Sequence, residues 1–157
     1  MSDYLGYGLM LEGHFYSKKE LLGLSALRLK DNSLSDWEKF LYEFLQDWYN
    51  DNPDIELSTS GTTGKPKEIF VPKKYLVNSA LNTGKFLSLT KGMTALLCLS
   101  PGYIAGKMMV VRSMVLEMNL ILSAPVSDPL HGTKDCFDFA AMVPLQISKI
   151  LEKEASA

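Results

Sequence analysis

The sequence predicts an α/β fold in which helices cover both faces of a mostly parallel sheet. From residue 54 onward, predicted strands alternate with predicted helices, which is the order of β–α–β units. The strands are continuous apolar runs, which are typical of a sheet covered on both faces. The connections are short and favour parallel neighbours joined by right-handed crossovers. In such sheets ligands bind beyond the carboxyl ends of the strands.

Residues 1–53 are predicted to form a strand followed by helices. The apolar run 9–11 predicts the strand, and a Leu-rich patch predicts a short helix from about Ser17. Ser35 and Glu38 have the spacing of a capping box and predict the start of a longer helix, which Asn52-Pro53 ends. Its apolar residues recur with helical spacing, and we expect them to pack in the core rather than form an aromatic binding face: Trp37, Phe40, Leu41, Phe44, Leu45, Trp48 and Tyr49.

Residues 54–157 are predicted to form the βαβ region of the same single domain, 1–157. Predicted strands occupy 55–59, 68–72, 93–99, 119–124 and 139–143, and predicted helices occupy 73–88, 104–118 and 145–152.

Composition and charge exclude several classes of function. Sixteen Lys and Arg against eighteen Asp and Glu give a net charge of −2, so no basic excess is available to pair with nucleic-acid phosphates. The chain begins without a basic segment and apolar core of the kind that marks a secretory signal. The most apolar stretch, 103–125, contains Lys107, Arg112 and Glu117, which make a membrane span costly. We therefore expect a cytoplasmic protein.

The cysteines and histidines offer little chemistry. Cys98 and Cys136 are too few for a disulfide framework and lack metal-ligand spacing, so we expect two reduced, half-buried thiols. His14 and His131 stand apart from any other His, Cys or acidic cluster, and we expect surface or loop positions for both.

The most informative segment is 58–67, Ser-Thr-Ser-Gly-Thr-Thr-Gly-Lys-Pro-Lys, directly after a predicted strand. Small residues let a backbone approach a ligand closely, and successive N–H groups form a concavity for an anion. The hydroxyls add donors, and Lys65 and Lys67 add positive charge. A flexible turn is the alternative, but flexible linkers are rarely bracketed so closely by apolar strands. The segment therefore predicts a polyphosphate site.

This segment differs from the loop of nucleotide triphosphatases. Gly61 and Gly64 are too close together, and Pro66 stands where Ser or Thr is required. Pro66 also biases Lys65 away from helical conformation. We therefore expect the loop to lead into another strand, as a hairpin-like flap over phosphates.

Nine adjacent residues, 59–67, resemble the phosphate-binding motif of the adenylate-forming (AMP-binding) superfamily, which includes acyl-CoA synthetases. Ser58 and Glu68 depart from the usual aromatic residue and glycine of that motif. Residues 99–107 resemble the acyl-pocket motif of the family, with Tyr103 in place of its frequent histidine, and 142–146 resemble its Val-Pro segment. The stretch 99–125 is most similar to o-succinylbenzoate–CoA ligases of menaquinone biosynthesis.

The resemblance implies the fold of part of the large N-terminal domain and an acid–thiol ligase activity. ATP, Mg²⁺ and coenzyme A would serve the complete enzyme, with a small aromatic carboxylate as substrate. The residues implied in ATP phosphate binding are Thr59, Ser60, Gly61, Thr62, Thr63, Gly64, Lys65 and Lys67. The chain has no aromatic-Gly-x-Thr-Glu or Thr-Gly-Asp segment and no C-terminal lysine domain. The resemblance therefore implies the N-terminal part of a larger enzyme, without a complete catalytic set and inactive alone.

The predicted acyl pocket comprises Tyr103, Gly106, Lys107 and Arg112. Both cations lie on a mainly apolar helix, and a buried cation needs a partner such as a substrate carboxylate. Five residues separate them, about 140° around the axis, so both cannot point at one spot. An internal Asp or Glu partner, or a side chain that reaches solvent, is the alternative for each.

Two other functions stay open at this point. One is a stand-alone phosphate- or nucleotide-binding module without catalysis, and the other is a structural or interaction domain with a vestigial loop. A fragment cut from a larger sheet is also expected to expose apolar surface and to self-associate.

Overall fold

The computed structural model describes residues 6–59, 67–133 and 135–154. In these ranges the strands are β1 (Leu9–Leu11), β2 (His14–Tyr16), β3 (Asp54–Thr59), β4 (Lys67–Pro72), β5 (Thr94–Leu97), β6 (Asn119–Leu122) and β7 (Phe139–Ala140). The helices are α1 (Lys18–Arg28), α2 (Asp36–Tyr49), α3 (Lys73–Leu87), α4 (Ile104–Val115) and α5 (Pro144–Glu154). The predicted alternation of strands and helices is confirmed.

Two helices begin at capping boxes. The Glu38 carboxylate accepts a hydrogen bond of 3.0 Å from the backbone N–H of Ser35, which confirms the predicted start of α2. Ser17 and Glu20 form the same arrangement before α1, with a distance of 2.8 Å. Each box satisfies N–H groups that the first helical turn leaves without partners.

The central sheet has the strand order β2-β1-β6-β5-β7. The pairs β1–β6, β6–β5 and β5–β7 are parallel, so the prediction of a mostly parallel sheet is confirmed. Strand β2 was not predicted, and it pairs antiparallel with β1 through a turn in which Glu12 and Gly13 both have positive φ.

Strands β3 and β4 form a separate antiparallel pair, called the ribbon here. The pairing runs from Asp54 opposite Pro72 to Thr59 opposite Lys67. The ribbon shares no strand pairing with the central sheet in the described ranges. The expectation that segment 58–67 leads into another strand is confirmed, because β4 begins at Lys67.

The core includes residues of the central sheet, of α4, which packs against β1, β5 and β6, and of α2. Alternate strand residues such as Leu9, Leu97 and Leu120 are buried there with Met109 of α4. Most of the apolar residues that recur with helical spacing along α2, called the α2 stripe here, are buried with them: Leu41, Phe44, Leu45, Trp48 and Tyr49. Phe40, at the margin of that stripe, is 42% exposed, which corrects its prediction as a core residue.

Helix α4 is shorter than the predicted 104–118. It ends at Val115 because Glu117 adopts a left-handed backbone with φ of 53°, which cannot continue a right-handed helix. None of the helices in the described ranges has both the length and the apolar character that crossing a bilayer requires.

Candidate functional site

The ribbon carries the predicted phosphate loop between its two strands. Thr59 and Lys67 are the last paired residues, and segment 60–66 joins them. The other predicted ATP-contacting residues lie outside the described residues: Ser60, Gly61, Thr62, Thr63, Gly64 and Lys65. The backbones of Thr59 and Lys67 are described in β3 and β4, but the assignment of all these residues to ATP stays a prediction.

Lys107 connects the ribbon to α4. Its Nζ donates a hydrogen bond of 2.8 Å to the backbone carbonyl of Glu56 and lies 5.8 Å from the centre of the Phe44 ring. Burial lowers the pKa of Lys107, and the nearby carboxylate of Asp47 partly offsets that effect. The half-buried side chain therefore fixes the middle of β3 to α4 through a hydrogen bond near the protein surface.

Lys73 holds the base of the ribbon. This side chain is fully buried, and its Nζ donates to both the backbone carbonyl and the side-chain oxygen of Asn50, at 3.0 Å each. Its backbone N–H donates to the carbonyl of Pro53 at 2.9 Å. Burial lowers the pKa of Lys73. Both lysines thus fix the ribbon through backbone or amide oxygens.

A first depression of about 170 Å³ opens between α2, β3 and the turn at 101–102. Ser58, the last residue before the predicted ATP-contacting segment, lines it. A Cβ on Gly102 would lie 2.9 Å from a ring carbon of Phe40, so glycine allows that exposed ring to pack against the turn. The other lining residues combine acidic, aromatic and basic groups: Glu43, Phe44, Asp47, Pro101 and Lys107.

A second depression of about 300 Å³, called the apolar depression here, lies beyond the carboxyl end of β5. Tyr103 and Gly106, both predicted for the acyl pocket, line it. Its remaining lining residues are Leu99, Ser100, Ile104, Ala105 and Val143. The position matches the edge of a parallel sheet at which ligands bind.

Gly106 is required for packing at this depression. A Cβ at this position would lie 2.3 Å from the backbone oxygen of Ser100, closer than any side chain can approach. Glycine therefore lets the first turn of α4 lie against the 100–101 backbone. This contact explains the glycine without any contact to a substrate.

The structure does not bring the two predicted cations to the apolar depression. Lys107 lies about 100° around the helix from Gly106 and lines the first depression instead. Arg112 is half-buried, burial lowers its pKa, and its Nε has no hydrogen-bond partner among the described residues. The structure thus places Tyr103 and Gly106 at the apolar depression and Lys107 at the first one, and the assignment of all four residues to an acyl substrate stays a prediction.

Gln146 lines neither depression, but it fixes the segments beside the apolar depression, a role that sequence reasoning did not assign to it. Its Nε2 donates to the carbonyls of Cys98 and Val126, at 2.9 Å each, and its Oε1 accepts from the N–H of Val143 at 3.1 Å. The side chain is buried and uses all three bonds to join the end of β5 to the start of α5. A Gln shortly after Val143-Pro144 was the available signal, because a helix-start glutamine can reach back to a preceding N–H.

The described residues do not form a magnesium site. No three of the described His, Cys, Asp and Glu side chains are grouped closely enough to hold a metal ion. Segment 58–67 also contains no carboxylate, the ligand that magnesium prefers in proteins.

The cysteines and histidines lie apart from both depressions. Cys98 is buried and its pKa is raised to about 11, whereas Cys136 is exposed. This corrects the prediction of two half-buried thiols. His14 lies edge-on against Tyr16, and Nδ1 of His131 lies 2.8 Å from Nζ of Lys153.

Solved structures of adenylate-forming enzymes are similar to this chain. An acyl-CoA synthetase (AMP-forming)/AMP-acid ligase II-like protein from Dyadobacter fermentans DSM 18053 is 40% identical, with a TM-score of 0.72 over 88% of this chain and 38% of that one. O-succinylbenzoate coenzyme A synthetase (MenE) from Bacillus subtilis, solved with ATP and magnesium ion, is 17% identical. The match has a TM-score of 0.62 and covers 94% of this chain and 49% of that one. The structure of the same enzyme with its acyl-adenylate intermediate is 22% identical. That match has a TM-score of 0.58 and covers 88% of this chain and 43% of that one.

No protein-family profile matches the chain, and no curated protein matches it. The chain spans less than half the length of each of these solved structures. The likeness to the Bacillus subtilis enzyme is one of fold. The likeness to the Dyadobacter protein includes sequence.

Proposed function

We propose that this chain, which has the fold of part of the large N-terminal domain of adenylate-forming enzymes, supplies the ATP phosphate-binding loop of an AMP-forming acid–CoA ligase. The observation that carries the proposal is the position of the motif at 59–67. It joins two antiparallel strands whose pairing ends at Thr59 and Lys67. A loop held at both ends by a packed ribbon is suited to present several backbone N–H groups to one polyphosphate.

The proposed reaction has two steps. The substrate carboxylate attacks the α-phosphorus of ATP, which forms an acyl-adenylate and releases pyrophosphate. The thiol of coenzyme A then attacks the acyl carbonyl, which forms the thioester and releases AMP. In the first step, Lys65, Lys67 and the loop N–H groups would offset the charge of the β- and γ-phosphates, a positioning and electrostatic role.

The acyl group of the substrate would enter the apolar depression beside Tyr103 and Gly106. This depression lies beyond the carboxyl end of β5. The o-succinylbenzoate specificity predicted from 99–125 has no further support, because the likeness to the Bacillus subtilis enzyme, at 17–22% identity, is one of fold.

The test is ATP binding by this chain, measured by calorimetry, together with pyrophosphate exchange by a complete enzyme that contains it. We expect the chain to bind ATP and to be inactive in exchange when alone. Lys67→Ala should weaken ATP binding by the chain and lower exchange at least tenfold, about 1.4 kcal/mol. Lys74→Ala, which removes an exposed lysine at the start of α3, is the matched control and should change neither.

Two results would contradict the proposal. An unchanged rate of pyrophosphate exchange in Lys67→Ala would show that Lys67 does not contribute to ATP binding. ATP binding without any exchange by the complete protein would favour the stand-alone nucleotide-binding module.

A further inference from the structure

We infer that Asp47 is a positioning residue for the ribbon, because it lies on α2 between the contact points of the two lysines that hold the ribbon, Lys73 and Lys107. The inference rests on the proposed function, since the ribbon carries the proposed phosphate-binding segment. It goes further by naming a carboxylate outside that segment on which the position of the ribbon depends.

The first argument is the spacing of contacts along α2. The Nζ of Lys107 lies 5.8 Å from the centre of the Phe44 ring. The Nζ of Lys73 donates to the backbone and side-chain oxygens of Asn50, which caps the end of α2. Asp47 stands three residues after Phe44 and three before Asn50, and residues with this separation are neighbours on a helix surface. Its carboxylate is therefore about one helical turn from the contact point of each lysine.

The second argument is the surface that Asp47 borders. It lines the first depression together with Lys107. It also lines a smaller depression of about 100 Å³ together with Asn50 and Glu56. Glu56 is the acceptor for Lys107, and Asn50 is the acceptor for Lys73. The carboxylate thus lies beside both places at which a lysine joins α2 to the ribbon.

The third argument is electrostatic. Burial lowers the pKa of both lysines, because a buried ammonium loses hydration. For each lysine, the carboxylate of Asp47 makes the largest contribution that raises the pKa again. The other charged groups that act on these lysines in the described ranges each act on one of them: Lys18, Asp51 and Asp54 on Lys73, and Glu43 and Glu56 on Lys107.

Both contacts of the ribbon therefore depend on one charge. A protonated lysine makes a charge-assisted hydrogen bond, roughly twice as strong as a neutral one. Without the Asp47 carboxylate, both lysines would lose their protons at lower pH, and the bonds to Glu56 and Asn50 would weaken together. Asp47 is exposed to solvent, so salt should screen its effect.

The first experiment titrates the lysines of the 157-residue chain, followed by the NMR signals of their Cε methylene groups. We expect Asp47→Asn to lower the midpoints of both Lys73 and Lys107. Two matched controls remove the same charge nearby: Asp51→Asn should lower only the Lys73 midpoint, and Glu43→Gln only the Lys107 midpoint. The shifts should shrink between about 0.1 M and 1 M salt, where the screening length falls from about 10 Å to 3 Å.

The second experiment measures pyrophosphate exchange against pH in a complete enzyme that contains this chain. The loss of exchange caused by Asp47→Asn should be about twofold to fivefold greater at pH 9.5 than at pH 7, the range expected for an exposed charge interaction. Asp51→Asn and Glu43→Gln, which each affect one lysine, should show a smaller dependence on pH. A purely structural role of Asp47 would lower exchange equally at both pH values.

The outcomes separate the inference from the proposed function. Unchanged midpoints in Asp47→Asn, or equal shifts of both lysines in all three variants, would overturn the inference. Shifted midpoints with parallel exchange profiles would overturn the positioning role and leave the proposed function standing. If the unmodified complete enzyme does not exchange pyrophosphate, the proposed function fails, while the titration still decides whether Asp47 governs both lysines of the ribbon.

Discussion

The Nζ of Lys107 lies 2.8 Å from the carbonyl oxygen of Glu56, so helix α4 holds the strand that leads into the predicted phosphate loop. Hydrogen bonds from charged groups stabilise proteins by about 1.5–3 kcal/mol, although burial of this ammonium offsets part of that. We expect Lys107→Met to lower the free energy of unfolding by about 1 kcal/mol, measured in urea. Amide exchange should quicken in β3 more than in α1.

The matched control is Lys91→Met. Lys91 pairs with Glu117 on the surface and is 74% exposed, so its loss should cost less than about 0.5 kcal/mol. Equal losses in the two variants would show that the bond to Glu56 adds nothing to stability.

Gly106→Ala tests the contact of α4 with the 100–101 backbone. The added Cβ would lie 2.3 Å from the Ser100 oxygen, so helix or loop must shift. We expect a loss of about 1–3 kcal/mol in thermal or urea unfolding. Gly23→Ala in α1 is the control, since its Cβ would meet nothing within 4 Å. That variant should gain about 0.5–1 kcal/mol from helix propensity, and a comparable gain at position 106 would refute the predicted clash.

Gln146→Leu removes three hydrogen bonds at a buried position. The carbonyls of Cys98 and Val126 and the N–H of Val143 would lose their partner. A buried group left unpaired, here the Cys98 carbonyl, costs about 1–3 kcal/mol, and the two part-buried groups cost less because water can reach them, so we expect a total loss of about 2–4 kcal/mol. Ser148→Ala, on the exposed side of α5, should remain within about 0.5 kcal/mol of the unmodified protein. A neutral Gln146→Leu would mean that the three groups find other partners.

The buried thiol of Cys98 gives stability a specific pH dependence. Burial raises its pKa from 9.0 to about 11 in the folded state. Between these values the unfolded chain binds fewer protons than the folded chain, so stability falls as pH rises, while well below pH 9 both states are protonated and the group contributes no slope. From pH 8 to 10.5, the unmodified protein should lose about 2 kcal/mol more than Cys98→Ala. Cys136→Ala, which removes an exposed thiol, should follow the unmodified protein.

The pH measurement has a clear negative outcome. If the unmodified protein and Cys98→Ala lose stability in parallel above pH 9, the thiol of Cys98 is accessible to water in the folded state.

Local patterns in the sequence were sufficient for most elements of the fold. The capping box at Ser35 and Glu38 marks the start of α2, because the box itself satisfies the first N–H groups of that helix. Strand β2 escaped prediction since three residues show no periodicity. The available signal was Gly13, which with Glu12 forms the positive-φ turn that reverses the chain.

The site was less accessible to sequence reasoning, because its geometry depends on contacts between distant segments. Helical spacing separated Lys107 from Arg112, but it could not reveal that the Glu56 carbonyl is the acceptor for Lys107. The same helical spacing placed Phe40 among the apolar residues of α2, but it could not show that Phe40 would remain partly exposed to solvent. The position of Gln146 after Val143-Pro144 could indicate its bond to the Val143 N–H, but the sequence could not reveal the carbonyls of Cys98 and Val126 as its other partners.

The tilt of the ribbon determines where its Thr59–Lys67 end lies. Strands of six residues are about 20 Å long, so a tilt of 10° at the base displaces the Thr59–Lys67 end by about 3.5 Å. Ile55 and Leu57, both almost fully buried, together with Lys73 and Lys107, set that tilt. A packing change at these residues would therefore be magnified at the end of the ribbon, from which the proposed phosphate-binding segment extends.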